Sequence, residues 1–425
     1  MNKSLFSNGT KALRAHTQRA HKADHTVLAP RATMSDSCAT CSSPLLALGV
    51  LSAQDYLERR MGIRQSWGRY EQIKSGEVLL RFVIGFTGAE PASVAARARS
   101  EHQKYSDIQM LPVRITGRKL GPMHTTFAWL QHSTTNLPYS AAAYVAKLDD
   151  DCFINLPELS RHLVALKHLP KVYYGIFYYS TWEHRAYSHK ASGYTTGSLR
   201  SGHAGECMRS GACSGAFPFA AAPAQILSTD LASALATSPQ AINYTDSSLA
   251  ILNDPRLNTS KAFATEDAWI GYAIHDLLPS SFSGVTLAML DRYAYTWDTW
   301  GAEMRNTTVL FHNKVKEQTR IKSAYYYMRE YACPTNVSIR CSAGTAGRYA
   351  SQCHLSPHNS SCRMVRQDVR KTNYMLCQYY SVSRIAANPK LNRFCLGQRD
   401  DYNESMIKSP PPPPTPPATN SGEAR

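Results

Sequence analysis

The amino-acid sequence predicts an α/β protein with a mostly parallel central sheet. Three observations carry this reading. Strand-length apolar runs alternate with segments of helical periodicity. One such run, AAAYVAKL over 141–148, ends directly in Asp149-Asp150-Asp151. A second acidic pair, Glu266-Asp267, opens the apolar segment AWIGYAI.

Pro44–Ala53 is the longest apolar run, far short of the ~18 residues that a membrane-spanning helix needs. It reads either as the apolar part of a signal peptide behind a basic leader or as a buried first strand. The strand is favoured because a charged helical pattern follows at 54–70. Val78–Phe86 (VLLRFVIGF) is a second strand, punctuated by Ser75-Gly76 and Thr87-Gly88. Helices are expected at 92–105, 123–132 and 156–168, and strands at 144–148 and 172–179. No internal repeat is visible.

The organisation expected is a basic flexible leader or stem over 1–42, a catalytic domain over 43–322, a cysteine-rich extension over 323–408 and a proline-rich tail over 409–425. The extension holds Cys333, Cys341, Cys353, Cys362, Cys377 and Cys395. An even number without zinc spacing reads as a disulfide framework. Cys207 and Cys213 could close another small loop, Cys38 and Cys41 form a lone C-x-x-C, and Cys152 is the candidate unpaired thiol. Eight Asn-X-Ser/Thr sequons, at Asn2, Asn8, Asn243, Asn258, Asn306, Asn336, Asn359 and Asn403, lean with the cysteines towards an oxidising lumen.

The formal charge is +16 at pH 7. A basic surface attracts polyanions. No run of five Lys/Arg and no recognition motif accompanies the charge, so nucleic acid is not the expected partner. A field that favours a phosphate-bearing ligand explains the charge as well.

Three successive carboxylates at a strand's carboxyl end are costly unless water or a cation compensates them. In open α/β sheets ligands sit just outside those ends. Apolar residues flank the triplet on both sides, which favours a site over a solvated turn. Glu266-Asp267 has a simpler reading, acids stabilising a helix start. His312, in VLFHNK, reads as a structural strand histidine unless a partner is found.

Taken in order, these motifs resemble the β-1,3-glycosyltransferase superfamily, which includes galactosyl- and N-acetylglucosaminyltransferases and Fringe. Arg59, Arg60, Ile63, Arg64, Trp67 and Gly68 look like its RR-x-x-I-R-x-T-W-G segment, with Ser66 at the Thr position. Glu101, Tyr105, Asp107 and Ile108 match E-x-x-x-Y-x-D-I. Tyr144 and Lys147–Asp151 match Y-x-x-K-x-D-D-D. Phe217-Pro218-Phe219 with Ile226-Leu227-Ser228 matches Y-P…V-L-S. Glu266, Asp267 and Gly271 match E-D-V-x-x-G, and Leu310-Phe311-His312 matches L-F-H. The resemblance covers roughly 44–320. The stretch from Met110 to Arg118 is similar to that of a protozoan or algal branch. The extension has no counterpart.

The resemblance implies a nucleotide-sugar-binding GT-A-like fold and an inverting transfer of galactose or N-acetylglucosamine from a UDP-sugar to a glycan or glycoprotein hydroxyl, in β-1,3 linkage. It implies Asp151 and His312 as ligands of Mn²⁺, and Asp149 and Asp150 on the donor's ribose or sugar hydroxyls. Glu266 would lie beside the donor, Arg64 and Ser52 at its base and ribose end. Asp267 would be the base. It also implies residence in the Golgi apparatus, with an anchor not visible in this chain. Two alternatives differ in class: a catalytically inactive lectin-like or assembly subunit, which the Ala222–Gln225 departure from the family's glycine-rich turn permits, and a polyanion-binding protein.

Overall fold

The computed structural model describes residues 43–116, 120–183, 188–193, 202–221, 223–252, 266–290, 295–297, 308–312, 318–331, 336–343 and 348–358. The leader, the tail and Cys38, Cys41, Cys333, Cys362, Cys377 and Cys395 lie outside these residues. So do Ala222 and the sequons other than Asn243 and Asn336.

The strands are β1 (Leu46–Leu51), β2 (Val78–Phe86), β3 (Ile108–Pro112), β4 (Tyr144–Asp149), β5 (Cys152–Ile154), β6 (Val172–Gly175), β7 (Phe177–Glu183), β8 (Ser188–Gly193), β9 (Cys213–Ala220), β10 (Ala224–Ser228), β11 (Val285–Leu290), β12 (Tyr295–Trp297), β13 (Leu310–His312), β14 (Asn336–Ala343) and β15 (Tyr349–His358). The helices are α1 (Leu57–Arg64), α2 (Ala92–Tyr105), α3 (Gly121–Thr135), α4 (Leu156–Leu166), α5 (Gly202–Arg209), α6 (Thr229–Thr237), α7 (Pro239–Leu252), α8 (Glu266–Tyr272) and α9 (Gln318–Tyr331).

A nine-stranded sheet, in the order β14-β15-β11-β6-β10-β4-β1-β2-β3, forms the frame. β10 runs antiparallel to β4 and β6, and β14 to β15; the other neighbours are parallel. The α/β class with a mostly parallel sheet holds. Two three-stranded sheets, β12-β13-β5 and β8-β7-β9, flank it.

Strand period two divides the core between the sheet's faces. Leu46, Leu48 and Val50 of β1 join Tyr144, Ala146 and Leu148 of β4 on one face, against Ile63, Leu159, Leu163, Ile321 and Met328 of α1, α4 and α9. Ala47 and Val145 point to the other face, against Phe127 and Trp129 of α3, Leu231 of α6 and Trp269 of α8. Gly49 is required there: a Cβ would stand 2.5 Å from the Trp129 indole. That indole donates to the Ala146 carbonyl at 2.9 Å.

The first helix stops earlier than the sequence predicts, at Arg64. The Ser66 hydroxyl donates to the Gly62 carbonyl at 2.6 Å, and a single 3-10 turn, Trp67–Arg69, follows. The strand expected over 172–179 divides between two sheets. After Gly175 the chain leaves β11 and pairs with β9 instead.

The structure shows what surrounds the expected domain junction near 322. It falls inside α9, whose Ile321, Ala324 and Met328 are core residues and whose Tyr325 meets Tyr70 edge-on at 5.1 Å. Beyond it, β15 pairs in parallel along the whole of β11. The hairpin of β14 and β15 is thus part of the central sheet. Cys341 and Cys353 stand directly opposite each other in that hairpin and form a disulfide. Cys207 and Cys213 form another, and Cys152 is unpaired and buried, as the sequence reading had it. Among the described residues, no helix is long and apolar enough to cross a membrane.

Candidate functional site

β4 delivers the three aspartates at its carboxyl end, and the chain turns at once into β5. The turn is held from beneath. Asp149 donates its backbone N–H to the Pro223 carbonyl at 3.0 Å. Trp67, wholly buried, donates its indole N–H to the Cys152 carbonyl at 2.9 Å. Antiparallel pairing of β5 with β13 sets His312 opposite Cys152. His312 Nε2 thereby lies 3.4 Å from Asp151 Oδ1, across 161 positions of sequence. The structure brings together the two residues named as metal ligands.

Asp151, Cys152 and His312 offer ligand atoms within 4.8 Å of one another. The donor set fits a divalent ion that accepts carboxylate and imidazole together. Burial, and then the charges of Asp151 and Asp149, push the Cys152 thiol well above the ordinary range. Asp151 and His312 supply the carboxylate and the imidazole of the set.

Asp150 is engaged by the protein itself. It is 4% exposed and accepts from Ser52 Oγ at 2.7 Å and from Arg59 Nη1 at 2.6 Å. Burial pushes its carboxyl up against the pull of Arg59 and Ser52. Arg59 also lies 3.8 Å over the Tyr56 ring. Asp149 is paired with Lys147, Nζ to Oδ1, at 3.1 Å.

Ser52 follows β1 beside this turn, and its Oγ accepts from the buried Arg60 at 2.9 Å. Arg64 lies further back. Its fork spans both oxygens of Asp107 at 2.7 and 2.8 Å, and its remaining nitrogen lies 2.8 Å from Glu101. The ring of Tyr105 lies 4.1 Å beneath it. These bonds occupy the guanidinium that the sequence reading placed at the donor's base.

Asp267, 7% exposed, lies in the first turn of α8, which Glu266 opens. Close packing of α8 on β9 depends on Gly271, where a Cβ would meet Phe219 Cβ at 2.5 Å and the Pro218 carbonyl at 2.6 Å. The matched E-D-x-x-x-G and F-P-F segments are therefore two sides of one contact. Asp267 comes within electrostatic reach of Tyr173, whose hydroxyl donates to Gln225 Oε1 and accepts from the Ala220 N–H, both at 2.9 Å.

Comparison with known proteins shows what the chain is similar to. Residues 58–252 match the family model described as Galactosyltransferase. A β-1,3-galactosyltransferase of Arabidopsis thaliana, GALT1, is 26% identical over 133 residues, covering 31% of this chain and 19% of that protein. The UDP-GalNAc:β-1,3-N-acetylgalactosaminyltransferase 1 of Mus musculus is 29% identical over 151 residues, 35% of this chain and 44% of that one. The N-acetyllactosaminide β-1,3-N-acetylglucosaminyltransferase 2 of Homo sapiens is 30% identical over 133 residues, 31% and 32% of the two chains. The chain thus spans less than half the length of these relatives.

Residues 58–252 are thus similar to galactosyltransferases, and the matched relatives are β-1,3-glycosyltransferases. Among solved structures, the galactosyltransferase LgtC with donor and acceptor sugar analogs resembles this chain loosely, with a TM-score of 0.32 at 12% identity, over 63% of this chain and 87% of that one.

Within the matched region, the RRMGIRQSWG segment is a clamp around the acidic turn. Arg59 holds Asp150, Trp67 holds the Cys152 carbonyl, and Arg60 ties the loop after β1 to Glu101. Its two nitrogens meet that carboxylate at 2.7 and 2.9 Å, and it also donates to Ser52 Oγ and the Ala53 and Gln54 carbonyls. Sequence reasoning matched this motif without assigning Arg59, Arg60, Trp67 or Lys147 a task. The available signal was the density of arginine and tryptophan near a predicted strand end. Arg60 reaches Glu101 41 residues away, Trp67 reaches Cys152 85 away and Arg59 reaches Asp150 91 away, while Lys147 pairs with Asp149 on its own strand.

Proposed function

We propose that this protein is an inverting, metal-dependent glycosyltransferase that moves galactose or N-acetylglucosamine from a UDP-sugar to a hydroxyl of a glycan or glycoprotein, forming a β-1,3 linkage. The observation that carries the reading is the approach of His312 to Asp151 at 3.4 Å, beside a carboxylate-rich turn at the carboxyl end of a parallel strand. Asp151 and His312 would hold Mn²⁺. When bound, such an ion neutralises charge growing on a departing diphosphate. Asp149 and, through the Ser52 and Arg59 bonds, Asp150 would fix the donor's hydroxyls. Asp267 would take the proton from the acceptor hydroxyl, help that typically contributes ~10²–10⁴-fold. Glu266, beside it, would orient the donor, and Arg64 would act at the base end by holding Glu101 and Asp107.

The disulfides at Cys207–Cys213 and Cys341–Cys353 support an oxidising compartment, and we place the protein in the secretory pathway, in the Golgi lumen or at its membrane. The test is hydrolysis and transfer with a panel of UDP-sugars, with and without Mn²⁺. Mn²⁺-dependent turnover of UDP-galactose or UDP-N-acetylglucosamine is the expected result. Donor binding without turnover would select the lectin-like alternative. Salt-sensitive heparin or RNA binding with neither would select the polyanion-binding one.

A further inference from the structure

The three aspartates after β4 have unlike partners. Asp149 meets Lys147 at 3.1 Å, Asp150 meets Arg59 at 2.6 Å, and Asp151 faces His312 at 3.4 Å. Lys147 is the unusual member. It sits mid-strand in β4, 1% exposed, with Gly49 of β1 and Gln225 of β10 as its register neighbours. An ammonium buried among strands costs several kcal/mol unless an opposite charge compensates it. Packing alone would favour a Met of similar length. The side chain instead runs along its own strand to a carboxylate that is 28% exposed. Arg59 makes the matching pair from α1, and its guanidinium feels Asp151 as well as Asp150.

We infer that Lys147 and Arg59 are resident counter-ions of Asp149 and Asp150, positioning residues that cancel two charges of the turn at which Asp151 and His312 would hold a divalent cation. The inference rests on the metal site proposed above and extends it. Three uncompensated carboxylates would grip a cation regardless of the donor and would repel a diphosphate. With two of them cancelled, cation binding depends on the negative charge that the diphosphate brings. Metal and donor then bind as a linked pair.

Calorimetric titration of Mn²⁺ into the full chain, with and without UDP, tests this. Lys147→Met keeps the length and apolar stem and removes only the charge. It uncovers Asp149 and is expected to tighten Mn²⁺ binding without UDP by at least about fivefold, the effect of one unit charge a few ångströms away after screening. The factor by which UDP improves Mn²⁺ affinity is expected to shrink. The double variant Lys147→Met/Asp149→Asn removes both charges and is expected to return the affinity to within about twofold of wild type. A purely structural lysine gives no such rise and no such return. Should Lys147→Met fail to fold, Arg59→Gln on the partly exposed pair reads the same effect at Asp150. Unchanged or weaker Mn²⁺ binding in a folded charge-removal variant, while Asp151→Ala still abolishes binding, overturns the counter-ion assignment alone. Mn²⁺ binding that survives Asp151→Ala overturns the metal site beneath it, and the assignment with it.

Discussion

Trp67 donates its indole N–H to the carbonyl of Cys152 at 2.9 Å, joining the end of the arginine-rich segment to the floor of the acidic turn. Both groups are shut off from solvent, so the carbonyl has no water to replace the bond. Trp67→Phe preserves most of the apolar bulk and removes the donor. It is expected to cost ~1–3 kcal/mol by urea unfolding and to weaken Mn²⁺–UDP binding, because the turn that carries Asp151 loses its anchor. Unchanged stability would show that the bond is not a restraint on the turn.

His312 is expected to be a ligand rather than a strand residue only. His312→Ala should weaken Mn²⁺ affinity at least tenfold while moving the melting temperature little, since the side chain is partly exposed. A large loss of stability with normal Mn²⁺ affinity would return the histidine to a structural role.

Asp267→Asn separates a base from a helix-start acid. A charge stabilising the helix terminus is worth ~0.3–1 kcal/mol and would register in the melting temperature. A base loses kcat by ~10²-fold or more with donor and Mn²⁺ binding intact. We expect the second outcome, with Glu266→Gln milder.

Glu101 lies between Arg60 and Arg64. Burial alone would raise its carboxyl, but the bonds and charges of the two arginines hold it below the ordinary range. Arg60 is 0% exposed, so Glu101→Gln leaves a buried guanidinium short of its counter-charge. The expected cost is ~3–5 kcal/mol, read by chemical denaturation. Arg60→Met/Glu101→Gln should recover part of it.

His124 gives the fold an acid limit. Burial, with Arg114 nearby, pulls its imidazole down to about 4. Its Nε2 lies 2.9 Å from Ser248 Oγ, and that hydroxyl donates to the Thr245 carbonyl, so the ring nitrogen is the donor. The unfolded chain takes up the proton near pH ~6.5 and the folded chain only near 4. Stability is therefore full above pH ~6.5 and falls as pH drops through that window. His124→Gln should flatten the pH dependence of the melting temperature there. An unchanged slope would assign the acid limit to other groups.

Much of the sheet was legible because β2 and β4 are apolar runs bounded by turn residues, and α2 and α4 have clear helical spacing. The split of 172–179 between β6 and β7 was not legible, because Val172–Tyr179 reads as one extended run and only the distant β9, whose Ala220 pairs with Phe177, takes the second half into another sheet. The place of the hairpin 336–358 was hidden for the same reason. Cysteine content marks a disulfide framework locally, whereas its pairing with β11 is a long-range register.

The sequence by itself determined the α/β class, the position of the aspartates at a strand end and the identity of Asp151, His312 and Asp267 as residues to watch, because strand period, flanking apolarity and motif order are local properties of the chain. Only the tertiary structure decided that Asp150 is held by Arg59 and Ser52, that Asp149 is paired with a buried Lys147, and that Arg64 is spent on Glu101 and Asp107. Charge pairing depends on distance in space, and every one of these partners except Lys147 comes from another element. Even the Lys147 pair is decided by burial, since the sheet closes around that side chain and leaves it 1% exposed.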